Sequence, residues 1–158
     1  MPEKSADEQF QTAMADCDQL VTVAQLRQDM ALEMGGDWDR DHPGWRARFV
    51  EYFNVLQNKG QGQVLCATVS GEVVAMAAVT IVEDYHSHTR GRNSARINMV
   101  YVQPAHRRRG IGRKLMQAAL DWLKEQHCEV VRLNASEDGK RLYESIGFKP
   151  RNEMEYFL

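Results

Sequence analysis

No long apolar run exists in this sequence. The longest, Val73 to Val82, is ten residues with Thr80 inside it. That is too short to span a bilayer and suits a buried strand, so no membrane partner is expected. Cysteine is scarce. Cys17, Cys66 and Cys128 are odd in number and far apart, which speaks against a disulfide framework and against a cysteine metal centre. A reduced, cytoplasmic compartment is the expectation. The stretch from Met1 to Glu8 lacks the basic-then-apolar pattern of a secretory leader. Neither charge sign dominates: 20 Lys and Arg against 22 Asp and Glu leave a formal charge of −2, which disfavours a general nucleic-acid binder. Repeats, low-complexity tracts and linkers are missing too. One domain is expected, with residues 1–8 as a frayed polar start and 9–158 as the folded unit.

What is present is a basic glycine turn, Arg107-Arg108-Arg109-Gly110-Ile111-Gly112. The stretch before it, Arg96 to Val102, reads as a strand. The stretch after it, Arg113 to His127, reads as an amphipathic helix. Strand, glycine turn and helix start together form a place for a phosphate. The first N–H groups of a helix have no intrahelical partner, and the helix dipole is positive there. Gly110 and Gly112 carry no Cβ to keep an anion away. The arginines add permanent charge and forked donors. The same residues also suit a solvated surface turn.

The remaining elements follow from pattern. Phe10 to Met14 reads as a short strand. Leu20, Val23, Ala24, Leu26, Met30, Ala31 and Met34 recur at helical spacing, ended by Gly35-Gly36. Residues 37–43 read as a loop. A second helix shows Trp45, Phe49, Phe53 and Leu56 on one face. Gln63 to Val69 and Glu72 to Val82 form a hairpin through Ser70-Gly71. A strand from Ala95 to Val102, the turn, the long helix, a strand from Glu129 to Leu133 and a helix from Ser136 to Gly147 complete the list, with Phe148 to Leu158 as a last strand. The order β-α-α-β-β-β-α-β-α-β predicts a single α/β domain with a mixed sheet.

The pattern Arg-x-x-Gly-x-Gly after a strand, Asn134 ending a second strand, and Leu142-Tyr143-Glu144-x-x-Gly147-Phe148 resembles the GNAT superfamily of acyl-CoA-dependent N-acyltransferases. It is not the ATP-binding P-loop, which needs Gly-Lys-Ser/Thr after the glycines. The resemblance implies an α/β GNAT fold: a mixed, mostly antiparallel sheet of about six to seven strands flanked by about four helices. It implies acetyl-CoA as cosubstrate, no metal, and transfer to an amine by direct attack in a ternary complex. A small-molecule amine is the first acceptor, a protein or peptide amine the second, and no nucleic acid is a partner. A homodimer is the assembly such a chain suggests. A non-catalytic acyl-CoA-binding module is the rival reading.

By the same resemblance, Arg107, Arg108, Arg109, Gly110, Ile111, Gly112 and Arg113 cradle the pyrophosphate. Val100, Tyr101 and Val102 offer main-chain groups to the pantetheine arm and acyl oxygen, and Asn134 bonds the arm. Tyr143 protonates the departing thiolate, since a neutral phenol is a suitable acid for a thiolate. Tyr143 also fits a packing role beside Leu142 and Ile146, and Asn134 a strand-end cap. Some members carry a glutamate as base on the strand before the turn; that position is Arg96 here. Glu83, Asp84, His86 and His88 stand near enough in sequence to serve, and the two histidines lack a third zinc ligand. Asp37, Trp38 and Asp39, with Glu83 and His86, are the expected acceptor-side residues, because acidic and aromatic groups together suit a cationic amine; a solvated acidic loop fits the same composition.

Overall fold

A computed structural model describes residues 10–83 and 93–158. The elements are β1 (Gln11–Met14), α1 (Cys17–Glu33), α2 (Trp38–Asp41), α3 (Trp45–Asn58), β2 (Gly62–Val69), β3 (Glu72–Val82), β4 (Ser94–Val102), a 3-10 turn at Pro104–His106, α4 (Ile111–Glu125), β5 (Val130–Leu133) and α5 (Glu137–Ile146). Local chemistry explains their limits. Asp16 and Gln19 cap α1 reciprocally: Gln19 N donates to Asp16 Oδ1 at 2.8 Å, and Asp16 N donates to Gln19 Oε1 at 3.1 Å. Ser70 and Gly71 both take left-handed conformations, φ 51° and 83°, as a two-residue hairpin requires. Ser136 caps α5 by accepting from Gly139 N at 3.2 Å.

The strands lie in the order β1-β2-β3-β4-β5. The first four pair antiparallel, and β5 joins β4 in parallel. Period-two alternation divides the core. Leu65, Ala67, Ala75, Ala77 and Val79 face α4, packing with Ile111, Leu115, Met116 and Leu123. Val64, Cys66, Met76 and Ala78 face α1 and α3, packing with Leu20, Val23, Leu26 and Phe53. Small residues in β3 let helices approach from both sides. Burial of Ile111, Leu115 and Leu123 stabilises the α4 contact by about 1.5–3 kcal/mol each.

The alternation reverses within β4. Val79 pairs with Ile97 and Ala78 with Met99, so Asn98 is an extra residue, a β-bulge. Before it, Ala95 and Ile97 face α4. After it, Met99 and Tyr101 face α1 instead, while Val100 and Val102 pack on the α4 side. The bulge therefore decides which wall Tyr101 joins.

Two expectations need correction. Among the described residues the sheet has five strands, not six or seven, because residues 148–158 form no strand. Pro150 lacks the N–H a ladder needs, and Met154, Tyr156 and Phe157 are exposed. An ion pair of 2.8 Å between Arg96 and Glu153 ties this segment to β4. The stretch read as loop at 37–43 contains the helical turn α2, capped by Asp37, whose carboxylate accepts from Arg40 N at 3.2 Å.

Candidate active site

The β4–β5 pairing ends at Ile97 and Leu133. Beyond it β4 runs on to Val102, paired with β3 alone, while the chain after β5 turns away toward α5. Among the described residues no strand covers that edge of residues 98–102. The two strands part there, and an open cleft of about 1420 Å³ lies between α1, the free stretch of β4, the glycine turn and the β5–α5 connection. Val100, Tyr101, Val102, Arg107, Arg108, Gly110, Ile111, Gly112, Arg113, Asn134 and Tyr143 all line it. Arg109 is not among the lining residues.

Gly110 is left-handed at φ 79°, and a Cβ built on it meets nothing within 4 Å. It opens α4 with no side-chain cap, and the first turn carries no acidic residue. The first helical bond is Lys114 N to Gly110 O at 3.0 Å. Ile111 buries its side chain in the core, which fixes the turn while its peptide stays at the cleft. This uncapped, uncompensated helix start fits an anion. Gly112 serves closeness: a Cβ there would lie 3.4 Å from Leu142 Cδ2.

The arginines divide. Arg107 does not reach outward. Its Nε donates to the Val102 carbonyl at 2.9 Å, and its NH2 donates to Glu33 at 2.8 and 3.1 Å. The Tyr101 hydroxyl donates to the same carboxylate at 2.5 Å. Those hydrogen bonds, Tyr101 first, hold the Glu33 carboxyl below its usual range. Burial, then Glu33, pushes the Tyr101 phenol well up. Arg113 bridges α4 to α5 through Ser145 Oγ at 2.7 Å.

Tyr143 stands on α5 with its ring edge-on to Phe148 at 6.1 Å. Burial raises its pKa. Gly139 makes room for the ring: a Cβ there would lie 2.8 Å from Tyr143 Cε2.

The acceptor-side expectations fare differently. Asp37, Trp38 and Asp39 do not line the cleft. Their polar groups build the α1–α3 connection instead. The buried Gln28 donates to Asp37 at 2.8 Å and accepts from the N–H groups of Trp38 and Asp39 at 3.0 and 3.2 Å. Asp39 accepts from Trp45 Nε1 at 2.9 Å and from Arg46 at 2.8 and 2.7 Å. Glu83 is exposed and away from the cleft lining; Asp84, His86 and His88 lie outside the described residues. Sequence reasoning missed Arg27, Glu33 and Gly139. The signal for Arg27 was present: it occupies a helical-spacing position within the apolar stripe of Leu20, Val23, Ala24, Met30, Ala31 and Met34. Glu33 had none, because its partners come from β4 and the turn. Among the described residues no cluster of three metal-ligating side chains occurs, and no helix is long and apolar enough to cross a membrane.

The profile of the acetyltransferase (GNAT) family matches residues 24–148. Aminoglycoside N(6')-acetyltransferase type 1 of Acinetobacter haemolyticus is 28% identical over 110 residues, covering 68% of this chain and 75% of that protein. A GCN5-related N-acetyltransferase from Ralstonia eutropha JMP134 superposes with a TM-score of 0.82 at 25% identity, over 94% of this chain and 98% of that one. A predicted acetyltransferase from Clostridium acetobutylicum, solved with acetyl-CoA, shares the fold with a TM-score of 0.82 at 19% identity, over 94% and 96% of the two chains. With a profile match across most of its length, on the fold these structures share, the chain belongs to the acetyltransferase (GNAT) family.

Proposed function

We propose that this enzyme transfers the acetyl group of acetyl-CoA directly to the amine of a small molecule, with both substrates bound in the one cleft. The observation that carries the reading is the free edge of β4, leading from the glycine turn into a cleft that Tyr143 also lines. Acetyl-CoA supplies the activated acetyl group. The N–H groups at the start of α4, with Arg108 and Arg113, hold its diphosphate. The unpaired main chain of Val100 to Val102 and the Asn134 amide align the arm. The amine nitrogen bonds the acetyl carbon, the carbon–sulfur bond breaks, and Tyr143 gives its proton to the departing sulfur; the amine proton leaves to solvent, from which Tyr143 regains one. The Acinetobacter relative, named for an aminoglycoside, supports a small-molecule acceptor.

Burial keeps the Tyr143 phenol protonated to higher pH than a free tyrosine. Its acid form is therefore full through neutral pH and persists beyond the range in which a free tyrosine titrates. Tyr143→Phe keeps the ring and removes the proton. Thiol release from acetyl-CoA across a panel of amines should show kcat lower by roughly 10²-fold in the variant, with acetyl-CoA affinity little changed. The fall in rate at high pH should disappear as well. Wild-type kcat and pH profile in the variant would remove the acid role. No turnover in the wild-type protein with any amine would leave a binding module.

A further inference from the structure

The end of the cleft away from the glycine turn carries a cation, Arg27, that no described carboxylate binds. α1 lays Arg27, Met30, Glu33 and Met34 along the cleft wall. Glu33 is held by Arg107 of the turn, and Arg27 lies earlier on the helix by about 9 Å along the axis. So Arg27 flanks the region into which an acceptor would come. Its guanidinium lies on the Trp38 ring, with the central carbon 4.0 Å from the ring centroid. Stacking occupies one face of the guanidinium and leaves its edge of N–H donors open.

No described carboxylate or carbonyl pairs with that edge, although acids are close in sequence. Each of those acids is engaged elsewhere. Glu33 holds Tyr101 and Arg107. Asp29 accepts from Gln25 at 2.8 Å. Asp37 caps α2 and binds Gln28. Asp39 binds Arg46 and Trp45, and Asp41 binds Arg40. The platform under Arg27 is firm as well. Trp38 meets Trp45 edge-on at 5.4 Å and His42 at 5.0 Å. Burial lowers the Arg27 pKa, which marks a charge held partly out of water. Such a charge gains most from an oxyanion that the ligand itself brings.

At this end Met30 and Met99 give the lining an apolar, adaptable part beside Asn98. A polycationic acceptor finds repulsion here from Arg27, and the one α1 carboxylate that lines the cleft, Glu33, is engaged by Tyr101 and Arg107. We propose that Arg27 binds a carboxylate of the acceptor, which makes the acceptor an α-amino acid with an apolar side chain and the product its N-acetyl derivative. A planar carboxylate matches the guanidinium fork with two parallel hydrogen bonds. This inference rests on the acetyl-transfer reading above and names the acceptor class for the same cleft.

The test follows thiol release from acetyl-CoA with L-leucine and L-phenylalanine, each against its own amide, in wild type, Arg27→Gln and Arg27→Lys. The amide's amine is the more acidic as ammonium, so more of it is neutral at the assay pH and simple availability runs against the expected order. In wild type kcat/KM should be at least about tenfold higher for the acid than for the amide. That ratio should fall toward one in Arg27→Gln and recover only in part in Arg27→Lys, which restores charge without the fork. Equal use of acid and amide by wild type, or an unchanged ratio in Arg27→Gln, overturns the proposal. So does preference for phosphoethanolamine over both amino acids, because that anion is tetrahedral. Calorimetry of the same ligands on CoA-loaded protein separates this inference from the reaction. An acid-over-amide preference in binding, lost in Arg27→Gln, upholds the carboxylate site even without turnover, and would then count against acetyl transfer alone. Absence of that preference in wild type sinks the site. Acetyl-CoA titration of each variant reports that it remains folded.

Discussion

Gly139 gives the sharpest test of the Tyr143 assignment, because two physical effects of one methyl group run in opposite directions. Gly139 is the third residue of α5. Replacing a helical glycine by alanine normally stabilises by about 0.5–1 kcal/mol, through backbone entropy. Here the new Cβ would lie 2.8 Å from Tyr143 Cε2 and 3.2 Å from both Cζ and Ser136 Oγ. Comfortable carbon–carbon contact begins near 3.5 Å, so the ring edge must retreat by about 0.7 Å. A half-buried ring at a cleft wall has room to swing, and the stability cost should roughly cancel the propensity gain. The hydroxyl moves with the ring. A misplacement of that order is enough to cost about 10- to 100-fold in rate. Gly139→Ala should therefore keep its thermal midpoint within a few degrees and lose kcat in thiol release from acetyl-CoA. In a Tyr143→Phe background there is no acid to displace, so adding Gly139→Ala should cost no more than about twofold. Wild-type kcat in the folded single variant would refute the reasoning. A further tenfold loss in the double variant would also refute it, because the methyl would then act through something other than the phenol.

Two further predictions concern the turn and its neighbour. Gly112→Val places branched carbons against Leu142, where even a Cβ would stand at 3.4 Å; acetyl-CoA affinity should fall at least about tenfold by calorimetry, and unchanged affinity in a folded variant would remove the phosphate site from this turn. Glu33 has its folded pKa lowered by Tyr101 and Arg107, so its contribution to stability is full above its unfolded value of about 4.3 and is lost as pH falls through the lower folded value. Glu33→Gln should remove that share of the decline in thermal midpoint between pH 5 and pH 3, and an unchanged slope would show that the contact contributes nothing to stability.

Much of the cleft lining was legible because its signals are local. Strand, glycines and helix start occupy one continuous stretch, and Tyr143 sits in a helix whose cap and stop are both written in sequence as Ser136 and Gly147. The role of Arg107 was not legible, since the carboxylate that holds it lies 74 residues away on α1. Composition around Trp38 suggested an acidic, aromatic acceptor surface. The structure instead engages those acids with Gln28, Arg46 and Trp45, because a buried glutamine and an indole N–H each require partners. The wall that Tyr101 joins was hidden by the Asn98 bulge, for one inserted residue reverses every later position on a strand and leaves no mark in composition. Arg27 was readable in principle: a permanent charge in an apolar stripe needs a reason, and the Trp38 ring is only half of it.

The short parallel seam between β4 and β5 bears on time as well as space. Four registered pairs join these strands, against eight between β3 and β4. β1 shares its antiparallel pairing with β2, and β2 to β4 follow one another as neighbours, whereas β5 reaches its place only after the crossover through α4. Contacts that close long loops form late and release early. Side chains of β5 are all half-buried, so of the two strand seams beside the cleft, β3–β4 and β4–β5, this one should open first. The cleft thus has one wall from the strand meander and another from the weakly joined β5 and α5. A ligand touching both walls would close the seam by mass action. Amides of Val131 and Leu133 should exchange with solvent faster than those of β3, and acetyl-CoA should slow them most.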